Sequence, residues 1–176
     1  GQLADKFEKS VQIRRVKLFE VVIILLAALG LWLNHVPLLL FVLFLLGLQS
    51  TIFGPIKYGI LPQILRREEL VGGNALVEMG TFVAILAGTI AGPQLAGMDA
   101  SWPYWVGVAC VAVALAGYLY SLRVPQAAPV APELRINWNI FSESVRNLRF
   151  INESRTVLNS VLGISWFWFF GATFLV

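Results

Sequence analysis

Two ionisable side chains, Lys57 and Glu78, stand out because they lie inside long apolar runs of the sequence. An ionisable group in hydrocarbon costs roughly 2.5–3.5 kcal/mol, so its presence there points to a function. Lys57 lies nine residues before Arg66 and Glu78 ten residues after Glu68, so helices would place both roughly 13–15 Å from the same charged loop. Two alternatives follow: a buried ion pair that fixes helix packing, or groups that face a cavity and bind a charged headgroup or relay a proton.

The residues around Lys57 are expected to disturb its helix. Pro55 lacks a backbone N–H, and Gly54 and Gly59 lower the helix propensity on either side of the lysine. We therefore expect a bent or partly unwound helix, which a membrane tolerates where the backbone lines a cavity. Tyr58 adds an aromatic ring with a polar tip at the same place.

Other chemistry is scarce in this sequence. The single histidine, His35, has no Cys, Asp or Glu near it that would make a metal or triad pattern, and we expect it in a solvated turn. The single cysteine, Cys110, lies in an apolar run and cannot form an internal disulfide. Phosphate-binding and nucleophile motifs are absent. The sequence predicts no enzyme, no catalytic residue, no metal site and no cofactor.

The composition places these residues in a membrane. Of 176 residues, 58% are hydrophobic and 13% charged, with a mean hydropathy of +0.77, whereas a soluble domain carries roughly 25% charged residues. A helix needs about 20 apolar residues to cross the hydrocarbon core. Five runs predict an all-α integral membrane bundle: Val16–Leu33, Val36–Leu61, Leu70–Ala96, Trp102–Leu122 and Thr156–Val176.

The basic residues predict the orientation of these runs. If the five runs alternate in direction, all Lys and Arg except Lys57 fall on one side, and the two loops of the opposite side carry none. By the positive-inside rule, residue 1 lies on the cytoplasmic side. The net charge of +3 therefore indicates topology and not nucleic-acid binding.

The segment between the fourth and fifth runs divides into two parts. Residues 124–132 are rich in Pro and Ala, which is typical of an extended linker. Beyond it, one helical face carries Trp138, Phe141, Val145 and Leu148. This pattern predicts an amphipathic helix, either on the inner membrane surface or docked on the protein's own cytoplasmic face.

The third run carries a ladder of small residues at every fourth position: Gly80, Ala84, Gly88 and Gly92. Such ladders let two helix backbones approach closely in lipid. We expect the ladder to serve helix packing, and we expect Pro93 to end or kink the helix near the outer side.

The first ten residues resemble the cytoplasmic loop signature of the major facilitator superfamily, G-x-L-a-D-r-x-G-r-[rk], which lies between helices two and three of that twelve-helix fold. The matching residues are Gly1, Leu3, Ala4, Asp5, Lys6 and Lys9, and Glu8 replaces the second glycine. The resemblance implies a partial bundle of helices three to seven. It divides the chain into residues 1–122 (N-terminal bundle), 123–155 (central cytoplasmic loop) and 156–176 (first helix of the second bundle). It also implies that Gly1, Asp5, Lys6 and Lys9 form a conformational gate.

A second pair of motifs resembles the bacterial lysophospholipid transporter branch of that superfamily. These motifs are P-x-K-Y-x-I-L, at residues 55–61, and N-x-L-x-E, at residues 74–78. The resemblance implies alternating-access translocation of lysophosphatidylethanolamine across the bacterial inner membrane for re-acylation, with Lys57 on the lipid phosphate and Glu78, Tyr58 and Asn74 beside it. Membrane lipids and an acyltransferase, fused or associated, would be its partners. The alternatives are a facilitator of another solute, such as a drug or organic anion, and the transporter module of a bifunctional acyltransferase.

Overall fold

A computed structural model describes residues 2–97, 101–134, 137 and 139–175, and most of these are helical. The helices are α1 (Gln2–Lys6), α2 (Lys9–Trp32), α3 (Val36–Ile64), α4 (Leu70–Ala96), α5 (Trp102–Ser121), α6 (Ile140–Glu153) and α7 (Arg155–Leu175), and a 3-10 turn spans Arg67–Glu69. No strand occurs in these ranges. The predicted all-α class is confirmed.

The chain forms two compact units. The first, Gly1–Leu134, contains α1 to α5, and the second, Arg135–Val176, contains α6 and α7.

Three helical segments of the described residues are long and apolar enough to cross a membrane: Val36–Ile64, Arg67–Ala96 and Trp102–Ser121. Helix α2 is long enough to cross a membrane, but it is less apolar: its last 18 residues include the charged Arg15, Lys17 and Glu20. Helix α7 has the length of a span, but Val176 lies outside the described residues. Membrane crossing by α2 and α7 stays a prediction.

Helix α2 packs along both α3 and α5 to form the centre of the first unit. Two glycines make this packing close. A Cβ at Gly30 would lie 2.9 Å from Leu39 Cδ2, and a Cβ at Gly107 would lie 3.2 Å from Ala28 Cβ. Helix α4 meets α3 and α5 but buries no residue.

Helix α3 continues through Pro55 without interruption, so the predicted local unwinding is not observed. One proline removes only one backbone donor, and the helix on both sides keeps its own hydrogen bonds. The hydroxyl of Thr51, one turn before Pro55, donates to the Gly47 carbonyl (2.9 Å). Helix α4 likewise does not end at Pro93 and runs on to Ala96.

The small-residue ladder of α4 has no neighbour in the described part of the chain. Apart from the backbone of the same helix and the adjacent residues, no atom lies within 4 Å of a Cβ built at Gly80, Gly88 or Gly92, and the same is true of Gly54 in α3. The predicted close packing therefore does not occur against α1, α2, α3 or α5, because α4 lies at the side of this unit and presents the ladder away from it.

The segment that carries the predicted gate residues, residues 2–9, forms the short helix α1 and then bends into α2. Glu8, at the position of the family's glycine, has φ −60° and ψ 122°. Any residue adopts this extended conformation, so the connection requires no glycine here. Gly1 lies outside the described residues.

Residues 124–132, which we call the strap, lie against α1, α2 and α3. Ala127 is buried together with Ile13 of α2 and Ile56 of α3. The Pro/Ala composition predicted a linker, but it did not predict this docking.

In the second unit, Asn139 caps α6 by accepting a hydrogen bond from the Ser142 N–H (3.0 Å). Val145 and Leu148 of the predicted apolar face are exposed. Trp138 and the side chain of Phe141 lie outside the described residues, so the face as a whole stays a prediction.

Candidate functional site

Lys57 and Glu78 lie at similar depth in neighbouring helices. Lys57 is seven residues before the end of α3 at Ile64, and Glu78 is eight residues after the start of α4 at Leu70. At 1.5 Å per residue, both are roughly 10–12 Å from the turn that joins the two helices. The equal depth of the two residues agrees with the prediction from the sequence.

The Lys57 ammonium reaches α4 through a threonine. Its Nζ donates to Thr81 Oγ1 (3.3 Å), and that hydroxyl donates to the Val77 carbonyl one turn earlier (2.8 Å). Because Thr81 uses its own hydrogen on its helix backbone, its oxygen is oriented to accept from the lysine. The threonine therefore fixes the position of the lysine without neutralising its charge.

Tyr58 stands between the two charged residues. Its hydroxyl donates to Glu78 Oε1, and its ring lies under the Lys57 ammonium at 4.7 Å from the ring centroid. The ion pairs of the described residues do not include Lys57 with Glu78. The tyrosine thus links the cation and the carboxylate, a contact that residue depth alone could not predict.

This arrangement leaves binding capacity on both charges. An ammonium has three donors, and Lys57 uses one of them on Thr81. Its cation–π contact with Tyr58 holds the charge in place without consuming a donor. Lys57 and Glu78 are half-buried, and Tyr58 is 37% exposed. The cluster can therefore offer N–H donors to an anion and, in exchange for the Tyr58 hydroxyl, a carboxylate oxygen to a cation.

Asn74 does not join this cluster. Its side-chain amide donates to the Leu70 carbonyl of its own helix (2.9 Å). It lies one turn before Glu78 on the same face of α4. A substrate contact by Asn74 stays a prediction.

A second polar centre in the first unit was missed by the sequence analysis. Glu20 Oε2 accepts from Lys17 Nζ and from Gln49 Nε2, each at 2.8 Å. Lys17 also lies 5.0 Å from the centroid of the Phe53 ring. The sequence does contain a signal for this centre: Lys17 and Glu20 lie three residues apart at the start of an apolar run. The sequence alone indicated Lys17 only as a charge that flanks this run.

The predicted gate residues occupy different environments. Lys6 lies over the Phe7 ring at 6.0 Å from its centroid. Asp5 is half-buried, and its backbone carbonyl accepts from Ala131 N–H. Lys9 is buried, with 1% of its surface exposed. Their role as a gate stays a prediction.

His35 is exposed in the turn between α2 and α3, as predicted, and it also has a structural role. Its Nδ1 accepts from the Leu38 N–H (3.1 Å) and caps the start of α3. The residues that the structure describes contain no group of three or more His, Cys, Asp or Glu that could hold a metal.

Comparison with known proteins identifies homologues of this chain. The lysophospholipid transporter LplT of Escherichia coli (strain K12 / DH10B) and that of Shigella boydii serotype 18 are each 32% identical to it over 187 aligned positions. The alignment covers 98% of this chain but 42% of each relative, so the chain spans less than half their length. No family model and no solved structure matches the chain.

The helices and the homologues agree on the class of protein. Three membrane-capable helices and relatives that are named transporters make this a multi-pass membrane protein. Nearly the whole of this chain is thus homologous to part of the lysophospholipid transporters LplT.

Proposed function

We propose that the protein translocates lysophospholipids across the bacterial inner membrane, toward the cytoplasmic leaflet, by alternating access. The observation that carries this proposal is the Lys57–Tyr58–Glu78 cluster on two apolar helices, in a chain whose relatives are named lysophospholipid transporters. Two helix bundles that rock about a midplane site are the usual design of such carriers.

The charges of the cluster suit a zwitterionic headgroup. A lysophosphatidylethanolamine carries an anionic phosphodiester and an ammonium group. Lys57 would donate to the phosphate oxygens, as lysine commonly does at phosphate sites. Glu78 would accept from the ammonium, which requires the Tyr58 hydroxyl to release it. Lysophosphatidylethanolamine is therefore the substrate we favour.

The acyl chain needs an apolar surface that is open to the side. Val71 and Ile85, which lie seven residues before and after Glu78 on the same face of α4, are 81% and 50% exposed. The glycines of the α4 ladder add no bulk to this helix. A single acyl chain can therefore lie along α4 while its headgroup occupies the charged cluster.

The distribution of basic residues supports an orientation with residue 1 in the cytoplasm. Membrane lipids would surround the helices, and an acyltransferase, fused or associated, would re-acylate the imported lipid. The chain itself would carry no catalytic residue and need no cofactor.

Lysophospholipid uptake by the Lys57→Met variant tests the proposal. In spheroplasts that express the full-length protein, we expect initial uptake of labelled lysophosphatidylethanolamine to fall at least about tenfold, since a charge-assisted hydrogen bond is worth about 1.5–3 kcal/mol. Arg67→Met is the matched control, because it removes a charge from an exposed residue in the turn between α3 and α4 and should leave uptake unchanged. Immunoblots establish equal membrane insertion. Uptake by Lys57→Met at the parental rate would disprove the assigned role.

A further inference from the structure

The strap, residues 124–132, is docked by one buried side chain. Ala127 is 5% exposed and lies in an apolar cluster with four residues of α1, α2 and α3. These are Ala4, Ile13, Ile56 and Ile60. The Pro/Ala composition predicts an extended linker, but the strap contributes to the core of the first unit.

Three hydrogen bonds tie the strap to three different helices. Arg14 of α2 donates to the Val124 carbonyl (3.3 Å), and Gln63 of α3 donates to the Ala128 carbonyl (3.2 Å). The Ala131 N–H donates to the Asp5 carbonyl of α1 (3.0 Å). The strap therefore holds the three helix ends together on the side that the basic residues assign to the cytoplasm.

The docked strap still exposes much of its own surface. Pro125, Gln126, Pro129 and Val130 are exposed, with Val130 at 62%. Its attachment thus depends on the buried Ala127, on the half-buried Val124 and on hydrogen bonds whose partners water can replace. Such an attachment is weak enough to open as a unit.

Near the apolar cluster that holds Ala127 lies a buried amino group without a partner. Lys9 is 1% exposed, and its Nζ makes no hydrogen bond. Its Cε lies 3.2 Å from the position that a Cβ would take on Gly59. Gly59 precedes Ile60 of the apolar cluster, and Lys9 itself lies one helical turn before Ile13 of that cluster. A buried polar group without a partner raises the free energy of the state that buries it, and a charged one raises it most.

We propose that the strap is a releasable cover over the ends of α1, α2 and α3, and that it undocks during the transport cycle and lets Lys9 reach water. The unpaired amino group destabilises the docked state and so favours release. The part of the inference that concerns the transport cycle rests on the proposed function. The docking equilibrium itself does not.

Cysteine labelling measures release directly. In a Cys110→Ser background, Ala127→Cys places a small thiol in the buried cluster, and inside-out membrane vesicles expose that side to a water-soluble maleimide. We expect slow labelling that becomes at least about tenfold slower when Lys9→Met is added, because an apolar side chain removes the buried unpaired group. Arg15→Met is the matched control: it removes an exposed charge from the same helix and should leave the rate unchanged.

An unchanged labelling rate in Lys9→Met would overturn the proposal, and so would labelling as fast as that of an exposed cysteine. The assay contains no transport step, so a failure of the proposed transport function would not alter its result.

Cross-linking tests whether release is needed for transport. Gln63 and Ala128 are both exposed and in contact, so cysteines at these positions can be joined by a short, reducible bifunctional thiol reagent. We expect uptake to fall at least tenfold on cross-linking and to return on reduction, with single-cysteine variants unaffected. Undiminished uptake by the cross-linked protein would show that transport proceeds with the strap docked and would overturn the proposal.

Discussion

Replacing Glu78 by Gln should change which headgroup the protein prefers. In the proposed complex the carboxylate receives the ammonium of lysophosphatidylethanolamine, and this contact is lost in the amide. Lysophosphatidylglycerol has a phosphodiester but no ammonium, so it would use Lys57 and not Glu78. The substitution should therefore slow the uptake of lysophosphatidylethanolamine and leave that of lysophosphatidylglycerol unchanged.

The size of the effect follows from the contacts of Glu78. A carboxylate and an ammonium about 4 Å apart attract by about 4 kcal/mol at an effective dielectric constant of 20. The carboxylate must first lose the hydrogen bond from the Tyr58 hydroxyl, and a hydrogen bond to a charged acceptor is worth about 1.5–3 kcal/mol. The net contribution is about 1–2.5 kcal/mol, or about 5- to 70-fold in kcat/KM.

The assay compares initial uptake rates of the two labelled lysolipids over a range of concentrations. We expect Glu78→Gln to lower kcat/KM for lysophosphatidylethanolamine by that factor and to change the value for lysophosphatidylglycerol less than about twofold. Tyr58→Phe is the companion variant, because it keeps the ring under Lys57 and removes the competing hydroxyl. It should lower KM for the ethanolamine lipid. An equal loss for both lipids in Glu78→Gln would refute this reasoning.

Two further predictions concern the packing that supports the site. Gly107→Leu should lower the melting temperature of the detergent-solubilised protein, because a Cβ there already lies 3.2 Å from Ala28 and overpacking costs about 1–3 kcal/mol. The control is Gly47→Leu, which lies at an open position. Equal melting temperatures of the two variants would contradict the close α2–α5 contact. Gln49→Leu should also lower the melting temperature, since Gln49 is 7% exposed and donates to Glu20 from α3 to α2, a contact worth about 1.5–3 kcal/mol. Ser50→Ala is the control and should leave the melting temperature unchanged. If Gln49→Leu also leaves it unchanged, this hydrogen bond contributes nothing to stability.

The depth of the site could be predicted from the sequence because helix geometry is regular. Counting residues from the charged turn placed Lys57 and Glu78 at the same level, and the structure agrees. Their partners could not be predicted, because side-chain direction depends on how α3 and α4 are rotated about their axes. That rotation brings Thr81 to Lys57 and puts Tyr58 between the two charges.

Other features escaped prediction because they depend on tertiary contacts. The Lys17–Glu20 pair lies at the edge of an apolar run, and only the hydrogen bond from Gln49 shows that the pair contacts α3. The strap has the composition of a linker, and its docking depends on Ala127 fitting a cluster assembled from three helices. Pro55 predicted a bent or partly unwound helix, but α3 is continuous through this residue.

The central claim is that Lys57 is the anchor for the lipid phosphate. Equilibrium binding of a fluorescent lysophosphatidylethanolamine to the purified full-length protein tests it most directly, with Lys57→Met measured beside Arg67→Met. The account predicts that Lys57→Met raises Kd at least about tenfold, the loss of one charge-assisted hydrogen bond, while Arg67→Met leaves Kd unchanged. Equal Kd values for Lys57→Met and the parental protein would contradict it.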